Sequence, residues 1–410
     1  MLAGLLWILF AVHVAIIALW GLGALWVRGL RADEGMRLDP LPEAQPDPSA
    51  PSLHVFIAAH NEQNRVEACL DRLGQQNYGP LRITVVNDRS DDRTGDGVRA
   101  VMARDPRVDL VDVRHLPDGW IGKTHALAVA ASNVGSDYLL FMDCDCRLQP
   151  GVIAAVMRKA AREGLDFVSL WPRLELLSPA ERILTPATSW VLGLWAFLGV
   201  RPGMSNSEVK LGNGQFMLLS RGAYERIGGH EAVKGELAED MAMASKVAAL
   251  GLRRWAGLGQ GLYVTSRDNS FITTFNSLTR VLIGSLVQPW RILLSAQFLL
   301  SGVVMPAWLL PLSLWIAASR GMPVGWMLVG GCAVHIAAMF YVVRRLFQLT
   351  LEDSPSVFSF LLGSVLTVGL LVWAWLVTTG RSTIRWGKTG YRISGSRVLH
   401  VMPEPGQSAA

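Results

Sequence analysis

The feature that most restricts the fold of this chain is the position of its apolar residues, which are concentrated near the two ends. Residues 2–27 contain one histidine and no charged side chain, and about 20 apolar residues are enough to cross a bilayer core. The stretch is longer than a signal-peptide core, has no basic region before it and lacks a small-residue cleavage site. It therefore predicts a spanning helix, with residues 1–30 as an N-terminal transmembrane anchor.

Three further apolar stretches lie near the C-terminus, at about residues 293–319, 324–343 and 357–378. The whole chain is 51% hydrophobic, which is too apolar for an ordinary soluble enzyme. We therefore predict transmembrane helices over residues 292–380, preceded by an interfacial helix at 271–291.

The middle of the chain has a different pattern. From residue 52 to 270, short apolar runs such as "SLHVFIAAHNE" and "LRITVVND" alternate with segments of helical spacing. This alternation predicts an α/β domain with a mostly parallel sheet. Residues 31–51, which are rich in proline and acidic side chains and have no periodicity, predict a linker.

Polar side chains follow the predicted strands directly. Asn61 and Glu62 come after the first strand, Asp88 after the second, and Asp143 and Asp145 end the apolar run "LLFMDCDC". Ligands of parallel sheets bind beyond the carboxyl ends of the strands, so these side chains should converge in one cleft.

The paired aspartates suit a hard divalent cation. Carboxylates separated by one residue offer oxygen ligands for Mg²⁺ or Mn²⁺ carrying a phosphate-bearing substrate. The start of a solvated loop is the alternative interpretation. A thiolate site at Cys144 and Cys146 is disfavoured, because two cysteines without nearby histidines do not supply the four ligands that zinc prefers.

Six segments occur in the order and spacing of a known family: "VFIAAHNE", "VVNDRSDDRT", "GWIGKTHAL", "LLFMDCDC", "LGNGQFMLLSRGAYERIGGH" and "GELAEDMAMASKV". From about residue 52 to 254 the chain resembles family 2 glycosyltransferases. With "LPDGWIGKTHAL" and "RWGKTGY" it also resembles the bacterial membrane glycosyltransferases of hopanoid and carotenoid (diaponeurosporenoate-type) biosynthesis. The resemblance implies an α/β fold: a GT-A nucleotide-diphospho-sugar transferase domain, with a mostly parallel mixed sheet flanked by helices. An N-terminal transmembrane helix and a C-terminal transmembrane helical bundle complete the expected fold.

The resemblance also implies roles for individual residues. Asp145 and Asp143 match the family's Asp-x-Asp motif and would hold Mg²⁺ or Mn²⁺, Asp145 more directly. Asp240 matches the catalytic base, with Glu239 beside it. The residues expected to bind the nucleotide sugar are Glu62, Asp88, Lys123, Asp143, Asn61 and Gln215.

The residues themselves leave a second interpretation of the proposed base. In "GELAEDMAMASKVAALG", acidic side chains in a first helical turn are stabilised by the helix dipole without any catalytic role. Lys123, taken alone, would be an ordinary solvated lysine.

Three other kinds of protein are disfavoured by the sequence. Processive relatives carry Gln-x-x-Arg-Trp after the base, whereas "QPWR" at residues 288–291 has the wrong order, which disfavours a polysaccharide synthase. A lipid transporter with a nucleotide-sensing domain is disfavoured because the spans are nearly apolar. No basic stripe interleaved with aromatic residues indicates nucleic acid as a partner.

The acceptor is inferred from residues 171–210, an apolar, tryptophan-containing insertion in the domain. At a membrane surface it would form an entrance for a lipid, or it would simply dock the domain on the bundle. We therefore predict an inverting, metal-dependent enzyme that moves one sugar from a nucleotide-diphospho-sugar to a membrane lipid, with the bilayer itself as a partner.

Basic residues predict the orientation. Arg28 and Arg31 follow the first helix, which places the domain in the cytoplasm and the protein in a bacterial cytoplasmic (inner) membrane as a multi-pass protein. The basic tail, residues 381–410, is expected on the same side, but three late spans would leave it outside. One stretch must therefore not span, and the first, with Pro306 and Pro311, is the best candidate for a broken or re-entrant helix.

Overall fold

The computed structural model describes residues 2–32, 34–43, 45–197, 211–286, 288–353, 356–386, 389–395 and 397–402. The helices are α1 (Leu2–Ala32), α2 (Val66–Gly74), α3 (Thr94–Met102), α4 (Gly122–Ala131), α5 (Val152–Glu163), α6 (Pro179–Phe197), α7 (Arg221–Arg226), α8 (Glu239–Ala249), α9 (Phe271–Leu286), α10 (Pro289–Leu299), α11 (Met305–Arg320), α12 (Pro323–Thr350) and α13 (Val357–Thr378). The strands are β1 (Leu53–Ala59), β2 (Leu81–Asp88), β3 (Val108–Val113), β4 (Tyr138–Asp143), β5 (Cys146–Leu148), β6 (Phe167–Trp171), β7 (Arg173–Leu176), β8 (Phe216–Ser220), β9 (Arg254–Leu258), β10 (Tyr263–Arg267), β11 (Ile384–Trp386), β12 (Thr389–Ser394) and β13 (Arg397–Met402).

A seven-stranded sheet forms the centre of the domain between residues 52 and 270, with the strand order β3-β2-β1-β4-β8-β6-β9. Strands β3, β2, β1 and β4 are parallel neighbours, and β8 runs antiparallel between β4 and β6. The apolar runs form these strands because both faces of the sheet are covered by helices, as the burial of β1 shows. The predicted mostly parallel α/β domain is confirmed.

The strand order reverses beside β1, because β2 lies on one side of it and β4 on the other. In register, Ala59 pairs with Asn87 of β2 and Ala58 pairs with Asp143 of β4. The carboxyl ends of three strands therefore meet at one edge of the sheet. A parallel sheet opens a crevice at such a switch point.

A second, three-stranded sheet fixes the loop after β4. Its order is β5-β10-β7, and Cys146 of β5 pairs with Thr265 of β10. Asp145 thus lies in a short connection between strands of two different sheets, so its backbone is held from both sides.

Among the described residues, four helical segments are long and apolar enough to cross a membrane: residues 4–29, 289–320, 323–350 and 358–378. Helices α1 and α12 pack in parallel. Nε2 of His13 lies 3.0 Å from Nδ1 of His335, and His335 and Trp20 both reach the Gly302 carbonyl oxygen, at 2.8 and 3.0 Å. Gly302 belongs to a π-helical segment, Leu300–Val304, that joins α10 to α11.

Helix α13 begins and ends beside the same domain. Before it, the Glu352 backbone N–H donates to the Leu174 carbonyl oxygen at 2.9 Å. After it, β11, β12 and β13 form an antiparallel sheet, which we call the C-terminal sheet, and the Val398 N–H donates to the Gly235 carbonyl oxygen at 2.9 Å. The expectation that the stretch with Pro306 and Pro311 does not cross a membrane stays a prediction, and α13 is itself long and apolar enough to cross. The π-helical segment keeps the earlier stretch helical.

Two predicted segments lie partly outside the described residues. Residues 198–210 of the insertion are among these, so its described part consists of β7 and α6. Lys388 of the basic tail is also outside, while most of the tail up to Met402 forms the C-terminal sheet rather than an extended chain.

Candidate functional site

A cleft of about 420 Å³ opens at the carboxyl ends of β1, β2 and β4. One wall consists of the loops that follow these strands and the start of α4. The opposite wall consists of α9 and the C-terminal sheet. Of the predicted residues, the cleft is lined by Asn61, Glu62, Asp88, Lys123, Asp143 and Asp145.

The carboxylates of Glu62, Asp88, Asp143 and Asp145 converge in the cleft, as the strand ends predicted. The pKa of Glu62 is raised to about 7, first by burial and further by the charges of Asp145 and Asp143, although Arg65 lies 3.1 Å away and opposes this shift. Burial is thus the main cause of this shift, and the neighbouring carboxylates add to it.

Lys123 joins the two halves of the site. Its Nζ lies 2.6 Å from Oδ1 of Asp143 and 2.9 Å from Oε1 of Glu239, and it donates to the Gly214 carbonyl oxygen at 3.3 Å. Burial lowers the pKa of Lys123, but the two carboxylates outweigh burial and raise it overall. The start of α4 therefore places a permanent cation between the paired aspartates and α8.

Glu239 and Asp240 begin α8 and have different environments. Burial acts to raise the pKa of Glu239, which is 5% exposed, but Lys123 outweighs it and lowers the pKa. Burial and the charge of Glu239 instead raise the pKa of Asp240 to about 6. Glu239 is thus held in its ionised form, whereas the adjacent Asp240 can exchange a proton near neutral pH.

Asp240 is held in position by the backbone. Its Oδ2 accepts from the Gly214 N–H and its Oδ1 from the Met241 N–H, each at 2.7 Å. A Cβ on Gly214 would lie 2.9 Å from Nζ of Lys123, so a larger residue there would displace the ammonium group from its present position. Asp240 lies behind Gly214 and Lys123. Like Glu239 and Gln215, it does not line the 420 Å³ volume that the described residues enclose.

Asp88 and Asn61 build the loops at the other end of the cleft. Arg89 binds both oxygens of Asp88, at 2.7 and 2.9 Å, and Asp88 is 4% exposed. Asn61 has a positive φ of 59°, and its Oδ1 accepts from the Asp91 N–H at 3.0 Å. The Asn61 side chain therefore links the loops after the first two strands, while Arg89 fixes the carboxylate of Asp88.

Gln215 lies next to the paired aspartates, where Sγ of Cys146 donates to its carbonyl oxygen at 3.2 Å. The side chain is 7% exposed, and its Nε2 has no hydrogen-bond partner among the described residues. A buried amide donor without a partner fits a site that waits for a polar ligand.

A thiolate metal site finds no support in the described structure. Cys144 and Cys146 are buried free thiols. Hydrogen bonding to Cys69 and burial raise the pKa of Cys144, and burial raises that of Cys146. Within the described ranges, no three His, Cys, Asp or Glu side chains form a metal-binding group.

The sequence reasoning missed the wall opposite the strand ends. Thr273, Asn276, Ser277 and Arg280 of α9 line the cleft, and their helical spacing was a readable signal. Arg385, Thr389 and Tyr391 of the C-terminal sheet also line it, and no local pattern connects them with residues 300 positions earlier.

Comparisons with known proteins agree with this geometry. Residues 54–228 match the family model described as Glycosyl transferase family 2. The 4,4'-diaponeurosporenoate glycosyltransferase of Staphylococcus haemolyticus is 28% identical over 217 residues, which cover 51% of this chain and 55% of that protein. The uncharacterized glycosyltransferase EpsJ of Bacillus subtilis is 24% identical over 118 residues, or 29% of this chain and 33% of that one. The matches thus span about half of these relatives or less.

A solved structure shares the fold. The mannosyltransferase PcManGT from Pyrobaculum calidifontis, determined in complex with GDP-Man and Mn²⁺, aligns with a TM-score of 0.51 and 19% identity, covering 80% of this chain and 97% of that chain. Together with the family match and the seven-stranded sheet, this alignment confirms the expected fold. Residues 54–228 match glycosyltransferase family 2, and they form the core of a domain with the GT-A fold.

Proposed function

We propose that this protein is an inverting, metal-dependent glycosyltransferase that moves one sugar from a nucleotide-diphospho-sugar to a membrane lipid. The observation that carries the proposal is the chain of contacts from Asp143 through Lys123 to Glu239, beside Asp240. It connects a cluster of carboxylates suited to a donor diphosphate and its metal with a carboxyl suited to general-base work.

The carboxylates fit Mg²⁺ or Mn²⁺ in part. Asp145 would be the more direct ligand, because Asp143 already binds Lys123 at 2.6 Å, and Glu62 adds negative charge nearby. Magnesium is commonly bound by one or two carboxylates, with substrate phosphates and water completing its shell, so a larger protein cluster is not required. The metal would neutralise charge on the leaving diphosphate.

The donor would lie along the cleft. Asn61, Glu62 and Asp88 shape the end assigned to the nucleotide, and Lys123 supplies a point cation near its phosphates. The unpartnered Nε2 of Gln215 is available to a sugar hydroxyl.

Asp240 would act as the base. An acceptor hydroxyl attacks the anomeric carbon while its proton passes to Asp240. The new bond joins the acceptor oxygen to that carbon, and the bond to the diphosphate oxygen breaks with its electron pair. A single displacement of this kind inverts the configuration. A pKa of about 6 keeps Asp240 mostly ionised at neutral pH and still basic enough to accept the proton.

A lipid acceptor is supported by α9. One face of the helix lines the cleft with Thr273, Ser277 and Arg280. The other face packs Leu278 and Leu282 into a buried cluster shared with the membrane-type helices. At its start Ile272 is 71% exposed, so an apolar surface leads to a polar site, as entry from a bilayer requires.

The proposal locates the protein in a bacterial cytoplasmic membrane with the GT-A domain in the cytoplasm. Arg28 is exposed at the domain end of α1, where basic residues mark the cytoplasmic side. The buried thiols agree with a reducing compartment.

The test is a screen of purified full-length protein in lipid nanodiscs against a panel of nucleotide sugars with total bacterial membrane lipid. We expect mass spectrometry to find a lipid heavier by one sugar, formed only with Mg²⁺ or Mn²⁺ and only by the protein with Asp240 intact. Sugar transfer to soluble acceptors alone, or formation of a polymer, would contradict the proposal.

A further inference from the structure

The C-terminal sheet closes the cleft from the side opposite the strand ends. Its Thr389 and Tyr391 line the cleft although they are only 4% and 2% exposed. Residues more than 230 positions after Asp143 in the chain thus belong to the same cavity. The sheet is part of the site, not an appendage of the last membrane-type helix.

The sheet is attached to both halves of the GT-A domain. On the nucleotide side, Nη1 of Arg89 lies 3.5 Å from Oγ1 of Thr389, and burial raises the pKa of the Tyr391 hydroxyl while the nearby Gly122 N–H at the start of α4 opposes that rise. On the other side, Arg397 forms an ion pair with Glu236, three residues before Glu239. These contacts hold the position of the sheet relative to Lys123 and α8.

The cations of the cleft differ in what they already bind. Arg65 pairs with Glu62, Arg89 with Asp88, and Lys123 with Asp143. Arg280 contributes to the negative pKa shift of Glu239. Arg385 lines the same cleft from β11 and is exposed to it, and within the described part of the chain it has no ion-pair partner.

We propose that Arg385 binds the diphosphate of the nucleotide donor, so that the C-terminal sheet completes the donor site. This inference rests on the proposed function. A diphosphate brought among Glu62, Asp88, Asp143 and Asp145 needs cations besides one metal ion. A guanidinium suits phosphate oxygens because it donates two parallel hydrogen bonds. β11 supports this placement, since Ile384 packs into the buried helix cluster while its neighbour Arg385 faces the cleft.

The test measures binding rather than turnover. Calorimetry on the full-length protein, at fixed Mn²⁺, compares uridine and guanosine diphosphates with the matching monophosphates. Arg385→Ala should weaken diphosphate binding on the order of tenfold or more, as loss of a charge-assisted contact does, and should leave monophosphate binding within about threefold. Arg385→Lys should recover part of the loss, because it keeps the charge.

The matched control is Arg392→Ala, an exposed arginine on β12 that does not line the cleft; it should change neither affinity. Equal weakening of monophosphate and diphosphate binding by Arg385→Ala would overturn the inference, because the contribution of Arg385 would then not depend on the second phosphate. Unchanged diphosphate binding would overturn it as well. Absence of nucleotide binding by the unmodified protein would instead contradict the proposed function, and the inference with it.

Discussion

The two walls of the cleft are built in different ways. The strand-end wall takes Glu62, Asp88, Asp143 and Asp145 from the carboxyl ends of β1, β2 and β4, which are parallel neighbours in the sheet, so their convergence follows from the topology. The facing wall takes Arg280 from α9 and Arg385 from the C-terminal sheet, and three of the described membrane-type helical segments, 289–320, 323–350 and 358–378, lie between them in the chain. The strand-end wall belongs to a fold on which many different reactions are catalysed. The second wall attaches that fold to its membrane helices.

If the strand-end wall supplies the metal ligands, loss of one of those ligands should have the largest effect on turnover. We expect Asp145→Ala to reduce turnover to background, because the metal loses its more direct ligand, and excess chelator to do the same to the unmodified protein. Sugar transfer measured by product mass, with thermal melting to verify folding, tests this. Full activity in excess chelator would remove metal dependence from the proposal.

Asp240→Asn should have the second-largest effect on the reaction. The amide is nearly isosteric but cannot accept the acceptor proton, so the single-turnover rate should fall by roughly two to four orders of magnitude while nucleotide affinity is retained. If Glu239 and Asp240 only stabilise the first turn of α8, the effect should instead be a stability loss of about 0.3–1 kcal/mol with little change in rate. Measuring rate, affinity and melting temperature on one preparation distinguishes these outcomes.

The raised pKa of Asp240 predicts an acid limb in the pH profile. Below pH about 6 the carboxyl is protonated and cannot act as a base, so activity should decrease about tenfold per pH unit and reach a plateau above that pH. The residual activity of Asp240→Asn should lack this limb. A profile that stays flat down to pH 5 would show that another group takes the proton.

The exposed apolar side chain of Ile272, at the start of α9 in the facing wall, should affect binding of the lipid acceptor alone. Ile272→Ser should raise the KM for lipid by roughly tenfold, the equivalent of one exposed aliphatic side chain losing its apolar contact, with nucleotide affinity unchanged. Leu250→Ser, at the end of α8 and 44% exposed, is the matched control and should have no effect. Equal losses for lipid and nucleotide would place Ile272 in the packing of the domain.

The smallest expected effect concerns the attachment of the C-terminal sheet. Tyr391→Phe removes a buried hydroxyl that lies near the start of α4, so the free energy of unfolding should fall by roughly 0.5–1.5 kcal/mol. Tyr341→Phe, on an exposed side chain, should leave it unchanged. Denaturant unfolding in detergent measures both, and equal stability of the two variants would show that the sheet is held by other contacts.

The buried tryptophans correct one expectation about the insertion. Trp190 is 7% exposed and stacks on Trp20 of α1 at 5.2 Å between ring centroids, and Nε1 of Trp195 donates to Oγ of Ser295 at 2.8 Å. In this part of the insertion, docking on the helix bundle was therefore the better interpretation. The exposure of apolar side chains at the start of α9, such as Ile272, does not follow from the sequence, because hydropathy does not separate a helix face that packs from one that is exposed.

The sequence by itself determined the elements whose signals are local: the apolar spans, the alternation of strands and helices, and the polar residues at the strand ends. These predictions succeeded because side-chain periodicity and parallel topology fix which strand ends meet. Only the tertiary structure decided that Lys123 pairs with both Asp143 and Glu239 and that the pKa values of Glu239 and Asp240 shift in opposite directions. The position of Arg385 in the cleft was also decided only at this level. Each depends on distances and burial between segments far apart in the chain, and a pKa or an ion pair exists only once those segments are packed together.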